Sequence, residues 1–138
     1  MEFSLDPKLS ESCIDLGNLR LSKVLLANNS HFPWVILVPR RAGATEAYKL
    51  SKDDQISLVL ESNLVSRVLQ QLFDPDKLNI ATIGNIVPQL HMHHVARFEG
   101  DLAWPGTVWG SGHEKAYDEA ELETRVTQLK EALKSYLQ

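Results

Sequence analysis

The chain is 138 residues long, 43% hydrophobic and 23% charged, with a formal net charge of −4 at neutral pH. These values fit one ordinary globular domain over residues 1–138, with a core that needs no staples. The acidic balance excludes a general nucleic-acid coat, since phosphate backbones select basic surfaces. A single cysteine, Cys13, leaves no intrachain disulfide and no Cys-rich zinc site. The stretch Met1 to Pro7 has neither the basic nor the apolar part of a secretory signal, and no apolar run reaches membrane-spanning length. A cytoplasmic protein with no membrane partner is the resulting expectation.

In chain order, Asp6-Pro7 opens a short helical turn ending near Ser12. Ile14 to Leu19 reads as short strands, with Gly17-Asn18 as a hairpin turn. Ser22 to Ala27 is a strand, Asn28-Asn29-Ser30 a turn, and Pro33 marks the next strand. Trp34 to Val38 is the most apolar run, and its β-branched and aromatic content makes it a central strand. Ser51 caps a helix whose first turn carries Asp53 and Asp54, favourable at the positive end of the helix dipole. Its apolar stripe is Ile56, Val59, Leu60, Leu64, Val68 and Leu72, and Asp74-Pro75 stops it. Leu78 to Ile83 alternates as a strand and Gly84-Asn85 turns the chain into another, from about Leu90 to Phe98. A loop with Trp104-Pro105-Gly106 and Trp109-Gly110-Ser111-Gly112 follows. A final helix begins near Asp118 and buries Leu122, Val126, Leu129, Leu133 and Leu137. Turn-linked strands with two main helices predict an α+β fold, an antiparallel sheet of about five strands covered on one face.

The strand after Gly84-Asn85 carries Pro88-Gln89-Leu90-His91-Met92-His93-His94-Val95-Ala96-Arg97, with three of the five histidines. Successive side chains of a strand alternate, so Gln89, His91 and His93 share one face and Leu90 and Met92 the core face. Two imidazoles two residues apart repel when protonated and add little packing, which marks them as displayed for chemistry or metal binding. His94 faces the other way and is read as structural.

The order strand, helix, strand, turn, then Gln89-x-His91-x-His93-His94-Val95 resembles the histidine triad (HIT) family of nucleotide hydrolases and transferases, whose pattern is His-φ-His-φ-His-φ-φ with φ apolar. The likeness runs from about Leu25 to Gly110. It takes in Phe32-Pro33-Trp34 to Pro39-Arg40, Asn79 and Gly84-Asn85. It is similar to a bacterial branch whose motif continues into Ala96-Arg97-Phe98, Trp104-Pro105-Gly106 and Val108-Trp109-Gly110. The chain departs from the pattern at Gln89, which stands in the first position, and at His94, which fills an apolar one. His91 then takes the middle position and His93 the third.

The resemblance implies that His91 attacks the α-phosphate of a nucleoside phosphoramidate or dinucleoside polyphosphate, forming a nucleotidyl-histidine that water or another acceptor resolves. Such attack needs a neutral imidazole with one nitrogen free and the other held as an N–H donor. His93 would give a proton to the leaving group as general acid, and Gln89 would hydrogen-bond a phosphate oxygen or a neighbouring histidine. Asn28, Asn79, Gly84, Asn85 and Arg97 are the implied nucleotide contacts. Phe32 and Trp34 read as core, and Trp104 and Trp109 as a lid, a dimer contact or loop anchors. No cofactor is required, and the partners implied are a purine mononucleotide-containing small molecule and a second copy in a homodimer. Two rival readings stand beside this one: a nucleotide-binding or regulatory protein that has lost turnover, and a metal module. The second would use His91 and His93 with His31, His113, Glu99 or Asp101, none at diagnostic spacing, so no metal is predicted.

Overall fold

The computed structural model describes residues 2–138. Five antiparallel strands form one sheet: β1 (Cys13–Asn18), β2 (Ser22–Ala27), β3 (Trp34–Pro39), β4 (Lys77–Ala81) and β5 (Met92–Arg97), in the spatial order β1-β2-β3-β5-β4. The apolar run of β3 therefore sits in the middle of the sheet, as its composition predicts. A short helix α1 (Pro7–Ser12) precedes β1, the long helix α2 (Lys52–Phe73) joins β3 to β4, and α3 (Glu119–Leu133) closes the chain. The architecture is α+β, with α2 and α3 as its two main helices.

Local chemistry sets the helix ends. Asp6, Ser51 and Asp118 are the N-caps of α1, α2 and α3, each accepting a backbone N–H, and Glu121 completes a capping box with Asp118. At the far end of α2, Asp74 takes a left-handed conformation with φ of 47°.

The two faces of the sheet differ. Val24 and Leu26 of β2, and Val35 and Leu37 of β3, pack with Leu64, Val65, Val68 and Leu69 of α2 and Leu129 and Leu133 of α3. The opposite face has no long helix. Leu25, Ile36 and Val38 there meet Leu9 of α1, Phe3, Leu5 and Trp34. His93 lies opposite Ile36 across β3 and β5, so it shares this helix-free face.

Two sequence expectations are corrected. Gly17 and Asn18 do not turn the first hairpin but belong to β1, opposite Val24 and Lys23. Gly17 has a φ of 116° at a register shift after Asp15, a bulge that only a residue without Cβ adopts readily. The chain reverses instead over residues 19–21, with Leu19 and Leu21 buried. On α2, Leu64 and Val68 are buried, but Ile56, Val59 and Leu60 are exposed, Leu60 by 62%. The inward face carries Leu58, Glu61, Ser62, Val65 and Leu69 instead. Its two polar members are satisfied: Glu61 accepts from the N–H groups of Leu21 and Ser22 at 2.8 and 3.0 Å, and Ser62 Oγ lies 2.8 Å from His94 Nε2. No helix is long and apolar enough to cross a membrane among the described residues.

Candidate active site

His91 lies just before β5, and its Nδ1 is 2.7 Å from the backbone carbonyl of Gln89, its own strand entry. A carbonyl only accepts, so Nδ1 carries the proton and Nε2 keeps its lone pair. His91, the nucleophile that the family resemblance implies, is thus held by main chain two residues away.

His93 is set the opposite way. The indole Nε1–H of Trp34 donates to His93 Nδ1 at 3.0 Å, so in neutral His93 the proton resides on Nε2. The two imidazoles stack edge to face with ring centroids 4.8 Å apart. His93 also packs against Trp34 and Trp109, at centroid distances of 5.6 and 5.3 Å. Burial, reinforced by His91 and His94, pulls the His93 pKa down to about 3. His94 points to the helix side, as expected from alternation. Its Nδ1 is 3.3 Å from the Val35 carbonyl, and burial lowers its pKa to about 4.

Both site histidines were expected to be displayed; each is only 7% exposed. The cause is the segment after β5, which folds back so that Trp109 covers His93 and meets Trp34 edge-on at 6.0 Å. Two cavities open beside His93. One, of about 400 Å³, is walled by Leu9, Ala27, Ile36 and Trp34 and bordered by Asn28 and His93. The other, of about 350 Å³, lies between Gly84, Asn85, His91, His93 and Trp109. Asn29, Trp34, His93 and Glu114 border both, so His93 stands at their junction.

The structure gathers His91, His93, Asn28, Gly84 and Asn85 at these cavities. It does not bring Asn79 and Arg97 there. Arg97 Nη1 donates to Asn79 Oδ1 at 2.7 Å, and the same guanidinium holds Asp101 through two bonds of 2.8 and 3.0 Å. The side chains of Arg97 and Asp101 are only 2% and 7% exposed. That pair is a buried structural tie. Gln89 borders the smaller hollow beside His91, yet both ends of its amide are bonded to the N-terminal segment, at Asp6 N and Ser4 O. Asn28 borders the larger cavity and accepts through Oδ1 from the N–H of Tyr117, so its amide N–H₂ is the group it can offer a ligand.

Trp34, read from sequence as core, is a wall of the site and the partner of His93. Asn29 and Glu114 also escape sequence reading; Asn29 looks like an ordinary turn residue, although its amide donates to the His113 carbonyl. Cys13 borders the larger cavity, but burial raises its thiol pKa, which leaves it a poor nucleophile. Among the described residues no group of three or more His, Cys, Asp or Glu side chains is placed to hold a metal ion.

The HIT domain profile matches residues 14–100. Over the whole of both chains the protein is similar to a histidine triad protein from Bradyrhizobium japonicum, with 43% identity and a TM-score of 0.92. A histidine triad protein from Marinobacter aquaeolei matches 99% of each chain at 42% identity and a TM-score of 0.95. One from Sinorhizobium meliloti is 43% identical over 95% of this chain and 97% of its own, with a TM-score of 0.91. A comparison with curated proteins gives no significant match. With its matched profile, its five-stranded antiparallel sheet and its paired imidazoles, the chain belongs to the histidine triad family.

Proposed function

We propose that the protein is a nucleotide hydrolase or nucleotidyl transferase acting at the α-phosphate of a purine nucleotide derivative, through a covalent nucleotidyl-histidine on His91. The observation that carries this reading is the 2.7 Å contact between His91 Nδ1 and the Gln89 carbonyl. It leaves Nε2 as a lone-pair nitrogen beside an open cavity and gives the N–H a fixed acceptor. When Nε2 bonds to phosphorus the ring becomes cationic, and the same carbonyl stabilises the positive Nδ1–H.

The nucleoside fits the larger cavity, whose apolar wall of Leu9, Ala27, Ile36 and Trp34 suits a purine and whose Asn28 suits a ribose hydroxyl. The phosphate then lies between His91 and His93, with the leaving portion toward Gly84 and Asn85. In the first step the Nε2 lone pair of His91 forms the N–P bond, and the leaving group departs with the electrons of its bond to phosphorus. In the second, water forms the new P–O bond, the P–N electrons return to His91, and the water proton passes to the phosphate product or solvent. Sheet-edge strand β4 exposes Ile80, with Ile83 and Ile86 nearby also exposed, which suits the homodimer implied by the family.

The test is to incubate the protein with adenosine 5′-phosphoramidate and, separately, diadenosine tetraphosphate, follow AMP release, and weigh the quenched protein intact. AMP release and an adenylyl adduct from at least one of the two substrates, both lost in His91→Ala, are expected. Saturable AMP binding with neither adduct nor release would instead mark a nucleotide-binding protein without turnover.

A further inference from the structure

Trp34 occupies the Nδ1 of His93 with a group that can only donate. An indole N–H accepts no hydrogen bond and gives up no proton near neutral pH. Were His93 to take a second proton, its Nδ1–H would point at the Trp34 Nε1–H across 3.0 Å, and one of the two would lose its partner in a buried site. His93 is therefore fixed as a neutral ring whose only proton is on Nε2, the nitrogen left for a ligand.

From this geometry, and resting on the proposed nucleotidyl transfer, we infer that Trp34 is a positioning residue that makes His93 a neutral hydrogen-bond donor rather than a general acid, and so restricts the enzyme to nucleotides whose leaving group departs as a stable anion, a phosphate chain in preference to an amine.

The chemistry follows from where the protons are. A polyphosphate leaving group takes the electron pair of the broken P–O bond and is stable as an anion; a hydrogen bond from His93 Nε2–H is sufficient, and the proton stays on the ring. An amine leaving group must gain a proton as the P–N bond breaks. His93 could supply it only by becoming an imidazolate, a very strong base. His91 cannot supply it either, because its Nδ1–H is bonded to the Gln89 carbonyl and its Nε2 is bonded to phosphorus.

The surroundings of His93 reinforce the assignment. From the segment before β5 it faces His91; from β5 itself, His94 lies on the other face. From β3 it meets Trp34 and Ile36, from β4 it lies opposite Ala81, and from the loop after β5 it meets Trp109, none of them titratable. Glu114, Lys115 and Cys13 border the larger cavity with it. Glu114 is the one carboxylate there, and neither it nor any other acidic group is bonded to a His93 nitrogen. With desolvation the largest influence, the ring is held neutral.

The experiment compares kcat/KM for diadenosine tetraphosphate and adenosine 5′-phosphoramidate between pH 5 and 8, in the native protein and in Trp34→Phe, and records the ¹⁵N resonances of the histidines across the same range. The expected native result is a preference of at least tenfold for the polyphosphate, and a His93 that keeps the Nε2–H tautomer without titrating. Trp34→Phe keeps an aromatic wall and frees Nδ1. It should lower the preference at least tenfold, chiefly through kcat on the phosphoramidate, with a new acid-favoured limb in that substrate's pH profile. A native enzyme that prefers the phosphoramidate, or a His93 that protonates between pH 5 and 7, overturns the inference while leaving the adduct on His91 intact. Absence of adenylylation from both substrates removes the reading beneath it, and the inference with it. Should Trp34→Phe fail to fold, the native substrate ratio and the native ¹⁵N titration still decide.

Discussion

The side chain of Gln89 is clamped to the backbone of Asp6: its Oε1 accepts from the Asp6 N–H at 2.9 Å, while its Nε2 donates to the Ser4 carbonyl next door at 2.8 Å. The same residue's carbonyl holds His91. One residue thus links the N-terminal segment to His91, with its side chain bonded to that segment and its main chain bonded to the imidazole. Phe3 and Leu5 anchor the segment further by packing beside Leu9 and Ile36.

A histidine at position 89 would therefore meet main chain rather than substrate. Gln89→His is expected to change the chemical step by less than about tenfold, because the side chain at this position is directed to the N-terminal segment. Gln89→Ala removes two hydrogen bonds worth about 1 kcal/mol each, loosens residues 4–6 and lowers the rate of adduct formation by roughly tenfold. Single-turnover kinetics on both variants check this. A Gln89→His enzyme faster by many orders of magnitude would show that the clamp is not what the position is for.

How much of this was legible in the sequence depends on the range of the interactions. The strand and helix order, the Ser51 cap, the helix start near Asp118 and the alternation of His93 and His94 are local, and local patterns suffice for them. Gly17-Asn18 misleads because a Gly that suits a hairpin turn suits a bulge equally well, and only the partner strand decides. Glu61 is inward-facing because the β1–β2 turn, some 40 residues away in sequence, needs an acceptor, which no helical stripe announces. Trp34 is 59 residues from His93; its role as donor exists only once β3 and β5 pair. Arg97 looked like a phosphate ligand because its partner Asp101, four residues on, reads equally well as a loop residue.

That buried pair supports a second prediction. Asp101 accepts not only from Arg97 but from the backbone N–H groups of Phe98, Ala103 and Trp104 at 3.1, 3.1 and 2.9 Å. The Arg97 guanidinium beside it, with the N–H groups of Phe98 and Ala103, holds its carboxyl down to about 2. Asp101→Ala strands a buried guanidinium and unties the loop leading to Trp109, and should cost about 3–5 kcal/mol. Arg97→Met leaves the carboxylate its three N–H donors and should cost distinctly less. Urea denaturation measures the difference. Calorimetric titration of Arg97→Met with AMP should give an affinity within about twofold of the native one, since a twofold change is well under 1 kcal/mol. A loss of tenfold or more would return Arg97 to the binding site.

The two depressed histidines make stability depend on pH in a defined window. An unfolded histidine titrates near 6.5, whereas His94 is held down to about 4 and His93 to about 3. Below about pH 6.5 the unfolded chain binds protons that the folded chain refuses, so stability is full above that value and falls as the pH drops toward the folded pKa values. Each histidine contributes a slope on the order of 1 kcal/mol per pH unit inside the window. Asp101 adds nothing there, because its own loss begins only as an unfolded aspartate starts to protonate, near pH 4. Urea midpoints should accordingly decline from pH 7 to pH 5. In His94→Gln the amide can still donate toward Val35 and accept from Ser62 but cannot titrate. That variant should keep about half of the native slope, the half belonging to His93. An unchanged slope in His94→Gln would place the acid sensitivity elsewhere in the molecule, and a slope abolished altogether would mean that His93 already titrates normally in the fold, against the hydrogen bond it receives from Trp34.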